Sequence, residues 1–323
     1  VSRRCHTAPR RPAGAGISLA WKWSHPHTVV KGIHLSSKIH ILHLLTSLDG
    51  GAARQVEELA SLTRRNFTVT VLPYQRWRDI GTIRPDLVHT HGKGAGLFGR
   101  LEAMRLRIPR VHTLHGFHWE RYGQWYIWGE RWLARRSRVI HVSRAEADEC
   151  DTMGFPTGTV IVNGVSAHAF PWRYDGPPVV GTVARDDPIK RLPELRRICR
   201  SANMPLVVGT GPGVPPCTIY ASFSRKEGCP YGILDAMAAG LPIVGSHIAA
   251  HQELLGTQEP LAHDPRTLTA FLICCAHDAE IRDKWGKENL ARVRTFFRLD
   301  SMAFNTEAVY RQCLDGGQGS TLA

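Results

Sequence analysis

Short apolar runs, each closed by a turn and followed by a longer amphipathic stretch, recur from Lys38 almost to the end of the 323-residue chain. Ten of them read as strands: IHILHLL, FTVTVLP, LVHTH, RVHTLH, RVIHVS and TVIVN, then VVGTVA, PLVVGT, TIYASF and LPIVGS. Strands that alternate with helices pair in parallel, and a parallel sheet needs cover on both faces. The chain is therefore predicted to be α/β. The segment PWRYDGPP, residues 171–178, separates the first six runs from the last four, and its prolines and glycine suit an interdomain hinge. Two domains also fit the length.

A composition with 43% hydrophobic and 21% charged residues excludes wholesale disorder, and no uncharged apolar run reaches the ~18 residues of a membrane span. The eight cysteines (5, 150, 199, 217, 229, 274, 275 and 313) form no CxxC pair, so neither a disulfide framework nor a zinc site is indicated and a reducing cytoplasm is the simplest home. His89, His91, His112, His115 and His118 cluster near the ends of two predicted strands without a compact ligand motif, and no metal is expected. The net charge of +13 implies affinity for polyanions of some kind. Seven of the cations, and no acid, lie in residues 1–38, the pattern of a disordered basic leader or of a misassigned start; Lys22 interrupts its apolar stretch, against a cleaved secretory signal.

The chemistry concentrates at four places. EGCPYGILDAMAAGLP, residues 227–242, sets Glu227 in a loop and Asp235 on the helix that follows, so that carboxylates and unpaired helix N–H groups flank one turn. VVGTVARDDPIKRL places Arg185 at a strand end and Lys190 near a helix start; two cations and helix amides there can stabilise a departing pyrophosphate. Gly50 and Gly51 follow the first strand and let backbone approach a ligand, although two glycines at such a turn are also ordinary structure. His115, before Gly116, ends another strand, with His91 as the runner-up. GAGLFG, residues 94–99, formally satisfies GxGxxG, but no acid lies between Glu102 and Glu120 to meet a ribose, so the dinucleotide match is a false positive.

Taken together, these motifs resemble retaining glycosyltransferases of the GT-B fold, in the large family 4-like group that includes sucrose and glycogen synthases and bacterial cell-surface glycan transferases. The resemblance covers roughly residues 39–314, most closely 84–119 and 227–246. It implies two Rossmann-like domains with parallel sheets facing a cleft. An N-terminal acceptor domain would span 39–172, a donor domain 173–295, and a terminal helix over 296–314 would cross back to the first domain. Arg185 and Lys190 then correspond to the family's phosphate-binding pair, Glu227 to the acid that contacts the donor sugar, and His115 to a histidine near it. Gly50, Gly51, Gly228, Cys229, Pro230 and Tyr231 would line the donor site, and Asp235 would hold the ribose. The chain departs from the pattern twice. Asp235 stands where the second Glu is usual, one methylene short. Several dozen residues usual before the Glu227 loop are reduced to a link through GPGVPPC, residues 211–217, which just reaches if PLVVGT and TIYASF flank the strand ending at Arg185.

The resemblance implies a nucleotide-sugar donor, a glycan or lipid-linked acceptor, retention of configuration and no cofactor. HWERYGQWYIWGERWLARRSR, residues 118–138, is rich in tryptophan and arginine, which suits an anionic membrane surface at the cytoplasmic face; core packing of Trp125, Trp128 and Trp132 is the plainer alternative. Two other readings stay open: a sugar-nucleotide binder without turnover, and a polyanion or nucleic-acid binder, for which no specific nucleic-acid motif appears.

Overall fold

The computed structural model describes residues 38–116, 123–166, 176–256 and 260–316. The basic leader up to residue 37, most of the hinge segment and residues 118–122 of the aromatic segment lie outside them.

Six strands build the first sheet: β1 (His40–Leu45), β2 (Thr68–Pro73), β3 (Leu87–His91), β4 (Arg110–Thr113), β5 (Arg138–His141) and β6 (Thr159–Val160). They run parallel in the order β2-β1-β3-β4-β5-β6. Around them stand α1 (Gly51–Thr63), α2 (Ile80–Ile83), α3 (Lys93–Arg105), α4 (Gln124–Ala134) and α5 (Arg144–Thr152). The second sheet holds β7 (Val180–Val183), β8 (Leu206–Gly209), β9 (Ile219–Ser222), β10 (Ile243–Ser246) and β11 (Leu261–Ala262), parallel in the order β11-β10-β9-β7-β8. Its helices are α6 (Leu192–Ser201), α7 (Tyr231–Ala238), α8 (Ala249–Leu255), α9 (Pro265–His277) and α10 (Ala279–Phe296), followed by α11 (Leu299–Gly316). No helix of the described residues is long and apolar enough to cross a membrane.

All ten strands read from the sequence are present. β11 is the one not anticipated, because two residues carry no periodicity. β7 lies between β8 and β9, the neighbour relation that lets GPGVPPC close the connection. Both sheets reverse strand order once, between β1 and β3 and between β7 and β9, and in open α/β sheets the carboxyl ends of strands at such a reversal form the binding crevice.

Every residue of β3 is buried, as a strand covered on both faces requires. One cover is α3, whose GAGLFG glycines act in packing: a Cβ on Gly96 would stand 2.6 Å from His112 Cε1, and one on Gly99 2.7 Å from Leu44 Cδ2 and 2.8 Å from Thr90 Cγ2. The other face is closed by α11, whose Met302, Ala303, Val309 and Tyr310 join Ile41, Leu87 and Val111 in a single core. The chain returns to this face through Val165, whose amide donates to the Phe297 carbonyl at 2.9 Å; a Cβ on Gly164 would sit 2.5 Å from the Arg298 oxygen.

Candidate active site

On the second sheet, Arg185 follows β7 and is exposed, with no ion pair among the described residues. A 3-10 turn, Pro188–Lys190, comes next, capped by Asp187, whose carboxylate accepts the Ile189 amide at 3.0 Å. This turn aims Lys190 at the loop after β9, where its ammonium donates to both Glu227 oxygens at 2.6 and 2.8 Å. The Arg225 amide donates to the Ile189 carbonyl at 2.9 Å and ties the two loops together. At the start of α7, the amides of Gly228, Cys229, Tyr231 and Gly232 have no acceptor among the described residues, the usual condition of a helix N-terminus.

The first sheet meets these groups glycine first. Gly50 has φ 84°, and a Cβ there would lie 3.4 Å from Arg185 Nη1; on Gly51 it would lie 3.5 Å from the Tyr231 ring. Beyond β4, His115 and Gly116 adopt φ of 62° and 83°. A left-handed His costs about 1–2 kcal/mol, which the surroundings must offset. Part of that comes from Glu146, which accepts the Gly116 amide at 2.5 Å and the Val142 amide at 2.9 Å. Against this turn lies Gly228, where a Cβ would stand 2.9 Å from Gly116 N and Cα. The His115 turn and the Glu227 loop thus touch backbone to backbone. The two strand-order reversals face each other, and Gly50, Gly51, His115, Arg185, Lys190, Glu227 and Gly228 share one boundary.

Asp235 has a different setting. Its carboxylate takes a bidentate pair from Arg54 of α1, at 2.6 and 2.8 Å, and the Gly213 amide at 3.1 Å, and only 2% of the side chain is exposed. The shorter acid is met by an arginine reaching across from the other sheet. Arg54 also bonds Glu58 at 2.9 Å and stacks 4.2 Å from the centre of the Tyr231 ring, while the Tyr231 hydroxyl donates to Glu58 at 2.9 Å. Pro230 stands at the helix cap in extended backbone, and the Cys229 carbonyl accepts from Asn163 at 2.7 Å. Burial pushes the Cys229 thiol up to about 12, so it is no nucleophile.

Sequence reasoning missed Arg54, Glu58, Asn163, Glu146 and Glu253. The last accepts the Arg144 and Ala145 amides at 2.8 and 2.9 Å, capping α5 from the opposite sheet. Only Glu146 had a local signal: Ser143 caps α5 in the Ser-x-x-Glu pattern of a capping box, although the Glu turns to Gly116 and Val142 instead.

His115 is held down to about 3 by burial and is neutral at physiological pH. Its Nε2 lies 2.9 Å from Nδ1 of His91, the runner-up, which is fully buried and approaches the boundary only through His115. His43, His89 and His91 bring one ring nitrogen each within 4.8 Å of one another. His118 lies outside the described residues. In the aromatic segment, Ile127 and Leu133 face the core while Trp125 is 88% and Trp128 65% exposed, so core packing does not account for these two tryptophans.

Residues 72–168 match the model of Glycosyltransferase Family 4. No curated protein sequence is significantly similar to the chain. Among solved structures, HepE of Anabaena in complex with UDP and glucose is 17% identical, with 85% of this chain and 100% of that one covered at a TM-score of 0.71. Sucrose-phosphate synthase of Thermosynechococcus elongatus is 15% identical over 86% and 100%, with a TM-score of 0.72. TarM of S. aureus is 14% identical over 72% and 57%, with a TM-score of 0.61. The fold is GT-B, and the resemblance to family 4-like glycosyltransferases holds.

Proposed function

We propose that the chain is a retaining hexosyltransferase that moves a sugar from a nucleotide-diphosphate donor to a glycan or lipid-linked acceptor in cell-surface polysaccharide synthesis. One observation carries this reading: Arg185, Lys190, Glu227 and the unpaired amides before and within the first turn of α7 converge on the boundary that also holds His115. Departure of a nucleoside diphosphate gathers negative charge on phosphate oxygens. Exposed Arg185 and the α7 amides are placed to stabilise it, and preorganised donors of this kind act without reorganising as charge develops. Lys190 bridges Glu227 to the phosphate, so the acid that orients the sugar hydroxyls also positions the cation. Charge is met by two side-chain cations, so the donor set calls for no metal. His115, neutral and on the opposite sheet, contributes a hydrogen bond to the sugar. Retention rests on the family resemblance. The UDP and UDP-glucose complexes of the Anabaena neighbour make a uridine nucleotide the first donor to try.

The exposed Trp125 and Trp128, set among arginines, support a peripheral place at the inner, cytoplasmic face of a membrane, where a lipid-linked acceptor would be reached. A second reading, a sugar-nucleotide binder without turnover, is favoured by Asp235, whose carboxylate already has three donors. A panel of nucleotide sugars, read by thermal stabilisation and slow donor hydrolysis with Arg185→Ala as control, separates the two. Stabilisation with hydrolysis supports the transferase, stabilisation alone the binder, and neither response excludes both.

A further inference from the structure

A chain of hydrogen-bonded rings leads from α11 to the cleft. Tyr310 is fully buried and its hydroxyl lies 2.7 Å from His89 Nδ1 and 3.4 Å from His43 Nε2. His43 Nδ1 is 3.0 Å from His91 Nε2, and His91 Nδ1 is 2.9 Å from His115 Nε2. His89 Nε2 ends the side branch at Thr113 Oγ1, 2.8 Å away. Only His115 Nδ1 has no partner among the described residues, and it is not one of their enclosed orphan atoms.

Burial holds His43 and His115 down to about 3 and His89 and His91 well below the usual range, so each ring carries one N–H and one lone pair. Each link needs one proton, and the three rings of the main chain must therefore all be the same tautomer. If Tyr310 donates to His43, all three are Nδ1–H. If Tyr310 donates to His89, all three are Nε2–H, with His115 donating to His91, His91 to His43 and His43 to the Tyr310 oxygen. The hydroxyl has a single proton, and the 2.7 Å contact to His89 is the one with the length of an O–H donor bond.

We propose that Tyr310, His43 and His91 are positioning residues that fix His115 as the Nε2–H tautomer, leaving Nδ1 as a hydrogen-bond acceptor for a hydroxyl of the bound ligand. The ligand half rests on the nucleotide-sugar reading above; the tautomer half does not. It would make a residue on the last helix, with no place in the cleft, a determinant of which hydrogen-bonding group His115 offers. The trio His43, His89 and His91 has the spacing of a metal site as well, but every one of its ring nitrogens is already engaged in the chain.

The test is histidine nitrogen NMR on the full chain, with tautomers assigned from one-bond and long-range proton couplings, in wild type and in Tyr310→Phe. In ligand-free wild type, His43, His91 and His115 are expected to be Nε2–H together. In Tyr310→Phe, which removes the terminal acceptor while keeping the ring, the His115 nitrogen shifts should move toward a mixture, and UDP-glucose affinity by calorimetry should fall about five-fold, one hydrogen bond's worth. Wild-type His115 found as Nδ1–H or mixed overturns the proposal, as does an unmoved His115 spectrum in the variant. So does stoichiometric zinc retained by the purified protein. The wild-type spectrum decides the tautomer even if Tyr310→Phe does not fold. Expected tautomers without UDP-glucose binding would remove UDP-glucose as the donor and leave the ring chain standing.

Discussion

The two sheets face the same cleft with opposite chemistry. The first buries His43, His89, His91, His112 and His141 within its strands, all neutral, and presents His115 at its edge. The second has a core of aliphatic residues and cysteines with Met204 and Phe223, and carries Arg185, Lys190 and Glu227 in its loops. His43, His89, His91 and His112 find hydrogen-bond partners that offset the cost of burying an imidazole, whereas Arg185, Lys190 and Glu227 sit in loops where water or a ligand can reach them. At the loops of the cleft a neutral imidazole comes from the first sheet and the cations from the second, while Arg54 and Glu58 of α1 add their charges at the seam beside them. A cleft so divided can hold a polar neutral group against one wall and an anion against the other.

The largest expected effect tests whether the charge that acts on the ligand comes from the second sheet's loops. Arg185→Ala should lower kcat for transfer by about 100- to 1,000-fold with an unchanged melting temperature, since the side chain is exposed and has no ion pair among the described residues. Equal losses in His115→Ala would erase the distinction. Next comes the seam between the sheets. Arg54→Ala leaves the Asp235 carboxylate buried without its partner and should cost about 2 kcal/mol in denaturant unfolding, less than a fully buried pair because 21% of the Arg54 side chain is exposed. An unchanged midpoint would mean that water replaces the guanidinium.

Packing separates the halves again. Gly286→Ala drives a methyl into the Gly240 carbonyl, backbone against backbone, whereas Gly99→Ala meets side-chain atoms of Leu44 and Thr90 that can shift. Both should destabilise, by about 1–3 kcal/mol, with Gly286→Ala the worse. Acid should act mainly on the first sheet. Its histidines are neutral when folded and take up protons when unfolded, so the unfolded state binds more protons below about pH 6.5, and stability falls as pH drops from there toward 3 to 4. Each such histidine contributes at most about 1.4 kcal/mol per pH unit. Hydrogen exchange should quicken in β1 and β3 before β7 and β9, although His251 of α8 is buried against Ser222 of β9; simultaneous loss would contradict this. The smallest effect is expected at Trp128→Ser, within about 0.5 kcal/mol of wild-type stability. The same change should weaken sedimentation with anionic vesicles at low salt, and undiminished binding would remove the tryptophan from any membrane role.

Periodicity and turn chemistry made the strands legible, because a doubly covered parallel strand must be apolar along its length. Lys190 and Glu227 were legible as family spacing, and their direct pairing follows from two loops that the order β9-β7-β8 places side by side. Arg54 was not legible: it looks like any helix-surface arginine, and its partner lies 181 positions away. Asp235 was read by analogy as ribose-binding, and nothing local announces the arginine that engages it. The histidines of LVHTH were visible as one face of a strand, but their sequence holds no mark of Tyr310, which only the returning chain brings to them.

That return has a consequence for synthesis. A ribosome releases β1 and β3 long before Leu299–Gly316, so the older sheet must wait with that side covered only in part, by α1, and with His43 and His89 lacking their phenol. The younger sheet, β7 to β11, gains little time on it: its own last cover, α10, ends only three residues before α11 begins, so both halves are completed almost together at the end of synthesis.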